Sequence, residues 1–317
     1  MALMFTEALA QMRSLTPPAD SSFDRFAPLA RPAPANPGAA LLPQINPPQP
    51  AAPIPVQAMP QVPAGQVALM ASARFGSDLP QSISGGLYWR IYPDKPDATG
   101  AFRPVREDRT AAPTFILPPG AYVVHVSFGL ASTVKNVQLR SETVREVFEI
   151  PAGAIRLEGR VGGVRIPAAQ ISFDIYPGSQ FDSRERPPIA QNIPTGEVVI
   201  VPHGTYYIVS NYGDGNAVVR SDIRVQLGKL TDVTVTHRAA VITLKLVGER
   251  GGEALANTNW TVLTPGGDVI KESIGAFPKV ILAEGDYRAI ARYEGRNFER
   301  AFKVVNGVDG EIEVLAR

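Results

Sequence analysis

Leu117-Pro118-Pro119-Gly120-Ala121-Tyr122, Val201-Pro202-His203-Gly204-Thr205-Tyr206 and Leu282-Ala283-Glu284-Gly285-Asp286-Tyr287 are three versions of one phrase. Each closes an apolar run with Gly-x-Tyr, and the tyrosines are 84 and 81 residues apart. Six residues after each tyrosine stands another aromatic, Phe128, Tyr212 and Tyr293, followed within two residues by Gly129, Gly213 and Gly295. A phrase that recurs with its spacing marks a repeated structural unit. Three copies of about 80–86 residues therefore fill most of the chain.

The runs around each phrase are short and apolar, with turn residues between them. In the first copy they are Val67–Ala71, Gly86–Tyr92, Pro113–Leu117, Tyr122–Val126, Ser132–Leu139 and Val144–Ile150. Many alternate apolar with polar residues, which is the signature of half-buried strands, and no window of a dozen residues carries a helical stripe. Strands without interleaved helices argue for antiparallel sandwiches over a parallel α/β sheet. The expected fold is all-β: three tandem antiparallel β-sandwiches, at 66–151, 152–237 and 238–317. The junctions Pro151-Ala152-Gly153 and His237-Arg238-Ala239-Ala240 are short, so the units are expected to join end to end as a semi-rigid rod.

The recurring residues have a structural explanation. Glycine is expected to end the turn at positive φ, and tyrosine to enter the next strand facing inward. Its hydroxyl would bond the backbone near the edge of the core, a role similar to the tyrosine corner of immunoglobulin domains. The aromatic six residues on shares its face by period two. The structural set is thus Gly120, Tyr122 and Phe128; Gly204, Tyr206 and Tyr212; and Gly285, Tyr287 and Tyr293.

Upstream the composition changes. Fourteen of the chain's 30 prolines fall within residues 15–63, where charges vanish after Arg31. Such a stretch lacks helical periodicity and the N–H donors of a sheet, so 15–65 reads as a disordered, partly polyproline-II linker. Residues 1–14 read as a short N-terminal segment, either a fraying helix or the remnant of a targeting sequence. Glu7 and the lack of a positive start depart from a signal peptide, while Ala8-Leu9-Ala10 matches a cleavage site.

Chemistry is sparse. With 31 Lys+Arg against 30 Asp+Glu the chain lacks the basic excess of a nucleic-acid binder, so no nucleic-acid partner is expected. No run of 18 apolar residues is present, so no integral membrane segment is expected. The absence of cysteine excludes disulfides and thiolate chemistry. The three histidines, His125, His203 and His237, fall in a strand, a turn and a junction, too scattered for a metal site. Gly213-Asp214-Gly215-Asn216 and Asn306–Gly310 lack the acidic ligands of a calcium loop and read as hairpin turns. No catalytic, metal or cofactor-binding residue is expected, and no cofactor. Long polar loops at Asp94–Arg109 and Asp182–Pro188 are the places where a glycan would bind if one does.

These features resemble the small immunoglobulin-like and prealbumin-like modules of bacterial envelope proteins, the carboxypeptidase regulatory-like and Cna-B-like families among them. The resemblance covers roughly residues 66–317 and rests on the three Gly-x-Tyr phrases. It implies a noncatalytic envelope scaffold or protein-interaction module, periplasmic or secreted, whose partner is another envelope protein. Carbohydrate or peptidoglycan binding, and an accessory role beside a cell-wall enzyme, are the alternatives it carries.

Overall fold

Leu87, Trp89 and Ile91 are buried, whereas Tyr88, Arg90 and Tyr92 between them are not. Period-two burial of this kind repeats along the chain and makes every major element a strand with one wet face. The computed structural model describes residues 61–317 apart from 141 and 184–185. The expected segment 1–14 and nearly all of the 15–65 linker lie outside the described residues. Residues Ala58–Arg317 form one contact unit.

The first repeat comprises β1 (Val67–Gly76), β2 (Leu79–Ser82), β3 (Leu87–Pro93), β4 (Arg106–Asp108), β5 (Thr114–Leu117), β6 (Gly120–Phe128), β7 (Ala131–Leu139) and β8 (Val144–Glu149). In one sheet β1 pairs with β2, β5 and β8; the other has the order β4-β3-β6-β7. The second repeat has the same plan: β9 (Ala152–Val161), β10 (Val164–Arg165), β11 (Ile171–Pro177), β12 (Ala190–Pro194), β13 (Val198–Pro202), β14 (Gly204–Tyr212), β15 (Val218–Val225) and β16 (Leu230–His237). The third has β17 (Ala239–Val247), β18 (Asn259–Leu263), β19 (Val269–Ile274), β20 (Lys279–Ala283), β21 (Gly285–Tyr293), β22 (Arg296–Val304) and β23 (Gly310–Leu315). A bridge between Val247 and Ala254 stands where the other repeats have a short second strand.

Each pair of sheets encloses its own hydrophobic core. The all-β sandwich architecture is as the strand pattern predicts, with one difference. The first and last strands of every repeat run parallel, β1 with β8, β9 with β16 and β17 with β23. The other pairings are antiparallel. Because the first and last strands point the same way, the chain enters a repeat at one end and leaves at the other. A junction of a few residues then suffices to start the next repeat. The short strands β2, β4, β10, β12 and β19 are absent from the sequence-based reading: the first four carry too few apolar residues to show a period, and in β19 Val269, Ile270 and Ile274 do not alternate.

Trp89, Phe173 and Trp260 occupy one register position in the three repeats, each fully buried on the strand opposite the Gly-x-Tyr strand. Both indole N–H groups donate to backbone carbonyls at 3.0 Å, Trp89 to Thr110 and Trp260 to Gly275. A buried indole needs such a partner, whereas phenylalanine at the same place needs none.

Candidate functional site: tyrosine corners and the joints between repeats

The Gly-x-Tyr tyrosines share one geometry. Tyr122, Tyr206 and Tyr287 each donate a phenol hydrogen bond to the carbonyl four residues back, at 3.0 Å to Pro118, 2.7 Å to Pro202 and 2.9 Å to Ala283. The bond ties the start of the strand to the end of the preceding one and satisfies a carbonyl at the rim of the core. Tyr206 and Tyr287 are buried, while Tyr122 packs on its core from a half-buried position. Burial raises the phenol pKa of Tyr206 and Tyr122. Phe128 and Tyr212 are buried in the first two repeats, and Tyr293 packs against the third core half-buried. The nine recurring residues therefore occupy three separate sandwiches and do not converge on one site.

The glycines of the phrase need a correction. Positive φ is found at Gly204 alone, at 156°, and not at Gly120 or Gly285. The tyrosine ring instead folds back over the glycine, and a Cβ would make ordinary contact with it at 3.5 to 3.9 Å. Positive φ belongs to the other recurring glycines, Gly129 at 58°, Gly213 at 70° and Gly295 at 76°. They form the hairpin turns that follow the Gly-x-Tyr strands.

Two of those turns meet the next repeat. A Cβ on Gly129 would fall 2.6 Å from Cβ of Ile200, and one on Gly213 would fall 2.8 Å from Cβ of Ile281. Ile200 and Ile281 are equivalent, each four residues before a Gly-x-Tyr glycine. In the first joint Leu130 N–H donates to Ile200 carbonyl at 2.9 Å. In the second, Asn216 accepts from Ala283 N–H at 3.0 Å and donates to the Tyr287 hydroxyl at 2.8 Å, while Lys271 pairs with Asp214. The loop that resembles a calcium-site fragment is thus a clamp between repeats. A second line of contact repeats as well. Leu227 and Gly228 pack on Gly76, Leu79 and Phe75, and Gly307 approaches Gly162 and Val161. Each core also recruits residues of the following repeat, Ala152 and Ile200 for the first, Ala239 and Ile281 for the second.

Beneath the second joint lies a buried polar pair. His237, 1% exposed, makes a 2.7 Å hydrogen bond through Nε2 with Ser210, which is fully buried. Its ring meets Tyr212 edge-on at 5.7 Å. Burial holds the imidazole below its ordinary pKa, opposed by the Ala217 backbone. The equivalent residues in the first repeat are Ile150 and Val126, both apolar. His203 is exposed and lies in the turn, with its N–H bonded to the Pro151 carbonyl at 2.8 Å. His125 lies on the outer face of β6.

The two polar loops are pinned by carboxylates. Asp97 accepts bonds from Thr99 and Ala101 and pairs with Arg103. Asp222 accepts from Ser179 Oγ at 2.5 Å and from Gln180 N–H at 3.0 Å. Phe102 and Phe181 are exposed in these loops. Among the described residues no three His, Asp or Glu side chains gather as a metal-binding set, and no helix is long and apolar enough to cross a membrane.

The joint residues escape a reading of the sequence alone. Gly129 and Gly213 are visible as recurring, but the reason for them, a neighbouring strand within van der Waals contact, belongs to the tertiary structure.

The geometry defines an all-β array of repeated sandwiches with docked joints. Residues 241–316 match the family model of the Rhizobiales growth-associated tandem repeat domain. No curated protein matches the chain. Among solved structures the chain is similar to the Bacillus anthracis TIE protein, at 15% identity over 79% of this chain and 50% of that one, with a TM-score of 0.24. It is similar also to a streptococcal ancillary pilin, at 12% identity over 80% and 99% of the two chains, with a TM-score of 0.28. GBS52, the minor pilin of Streptococcus agalactiae, aligns at 15% identity over 54% and 94%, with a TM-score of 0.28. The chain spans half the length of the TIE protein.

Proposed function

We propose that this chain is a noncatalytic scaffold of the cell envelope, periplasmic or secreted, that holds a protein partner at a set distance. Its domains are the repeats at 66–151, 152–237 and 238–317. Ala152 and Ala239 belong to the following repeat by strand and to the preceding one by packing. The observation that carries this reading is the pair of equivalent joints. A chain selected only to carry three independent binding modules has no need to pack Ile200 and Ile281 against the preceding repeat or to clamp Ala283 with Asn216. Docked joints transmit position from one repeat to the next, as in other tandem arrays. The match of residues 241–316 to a growth-associated tandem repeat domain supports a repeat-built protein with a part in growth.

Site-specific photo-crosslinking in living cells, read with subcellular fractionation, tests the proposal. Cross-linkers on the exposed edge strands, at Val134 and Lys303, should trap a protein neighbour in the envelope fraction. Recovery of the chain from the cytosol alone overturns the reading, as does turnover of a cell-wall polymer by the purified protein.

A further inference from the structure

On the outer face of the first repeat Tyr88 sits between two arginines. The guanidinium carbon of Arg90 is 5.0 Å from the ring centroid and that of Arg109 is 4.9 Å. Glu107, opposite Arg90 in the strand register, interacts with the Tyr88 phenol and raises its pKa. Among the described residues neither arginine forms an ion pair, in contrast to Arg74, Arg156 and Arg238, which each hold a carboxylate. Arg90 Nε is buried without a partner, and so is Nδ1 of His125, the residue opposite Arg90 on β6. Burial and the Arg90 charge keep His125 below its ordinary pKa. Glu107 supplies one negative charge against two guanidinium groups, so the cluster keeps a positive excess that a further anion would offset.

The fold does not require this cluster. Tyr88 and Arg90 are matched by Ser172 and Asp174 in the second repeat and by Asn259 and Thr261 in the third. The inner-facing partners Trp89, Phe173 and Trp260 keep their character throughout. Residues that the sandwich needs recur in every copy; this set occurs once.

We propose that Arg90 and Arg109, positioned on Tyr88, form a binding site for the carboxylates of an acidic polysaccharide. Guanidinium groups bind carboxylates as paired donors. The site spans β3, paired with both β4 and β6, and the end of β4, an edge strand of only three residues. So short an edge gives a peptide strand little to pair with. An extended polymer can lie along the exposed sheet face and present successive carboxylates. The site is independent of the scaffold reading above.

The test uses the full chain and immobilised polygalacturonate, with a glutamate-rich peptide and polyphosphate as parallel probes. The wild-type protein should bind polygalacturonate, and Arg90→Gln and Arg109→Gln should each weaken binding about tenfold with unchanged thermal melts. Arg296→Gln, which removes an arginine stacked on Phe298 in the third repeat, should leave binding as it was. Tyr88→Phe, which keeps the ring, should retain most of it. Equal loss in Arg296→Gln means general charge attraction and overturns the site. No binding to polygalacturonate, or tighter binding to the peptide or polyphosphate, overturns the assignment of the ligand.

Discussion

Tyr287→Phe removes one oxygen that serves two repeats. The hydroxyl donates to the Ala283 carbonyl within its own repeat and accepts from Asn216 Nδ2 across the joint. Among the described residues the Tyr206 hydroxyl makes the corner bond to Pro202 and no bond across a joint. A hydrogen bond contributes roughly 0.5–1.5 kcal/mol net, and more is lost when a buried partner is left unsatisfied. The expected losses are therefore about 2 kcal/mol for Tyr287→Phe and about 1 kcal/mol for Tyr206→Phe. The chain offers its own reporter, because its two tryptophans lie in the first and third repeats. In a Trp89→Phe background, which introduces the residue the second repeat uses at this position, fluorescence reports Trp260 alone. With a urea slope of about 1–3 kcal/mol per M, Tyr287→Phe should lower the Trp260 midpoint by about 1 M. Asn216→Ala, although placed in the neighbouring repeat, should move the same transition. The double-mutant cycle of Asn216→Ala with Tyr287→Phe should show a coupling of about 1 kcal/mol. A Trp260 transition indifferent to Asn216→Ala, with effects additive to within about 0.5 kcal/mol, would refute the clamp.

Gly129→Ala should destabilise more than Gly295→Ala in thermal melts. Both glycines have positive φ, yet a Cβ at 129 meets Ile200 whereas one at 295 meets open space; equal losses would remove the joint from the account. Tyr206→Ala should cost roughly 3–5 kcal/mol as a buried aromatic, and Tyr122→Ala less because its ring is half-buried; the reverse order in denaturant titrations would count against the packing described. His237 predicts a pH effect at the second joint. Its folded pKa lies below the ordinary 6.5, so the unfolded chain takes up the proton first, and stability present above pH ~6.5 is lost as the pH falls below it. Ser210 and Tyr212 face the ring; burial first and then the nearby acid Asp309 raise the Tyr212 pKa, and Asp309 is held by Val241 N–H. Replacing the pair by Val and Ile, the residues of the first repeat, should flatten the urea midpoint between pH 6.5 and 5; an unchanged slope would assign it to other groups.

The chain's own order of residues determined the number of repeats, their all-β character and the residues that line each core. The reason is physical: period-two burial and positive-φ turns are local demands, and a local demand leaves a mark at the position that meets it. Leu87, Trp89 and Ile91 show it by alternation, and Gly129, Gly213 and Gly295 by recurrence. Tyr122, Tyr206 and Tyr287 could be read as corners because the bond spans only four residues. The parallel pairing of first and last strands was not legible, since β1 and β8 join residues some 75 apart and parallel and antiparallel strands share one side-chain period. Nor was the Asn216 clamp, where an ordinary turn residue becomes a joint only because the next repeat folds beneath it. Arg90 and Arg109 stand 19 residues apart in sequence, and only the pairing of β3 with β4 sets both on one tyrosine. Contacts of this kind depend on which surfaces the folded sheets bring together, and that is decided by tertiary packing.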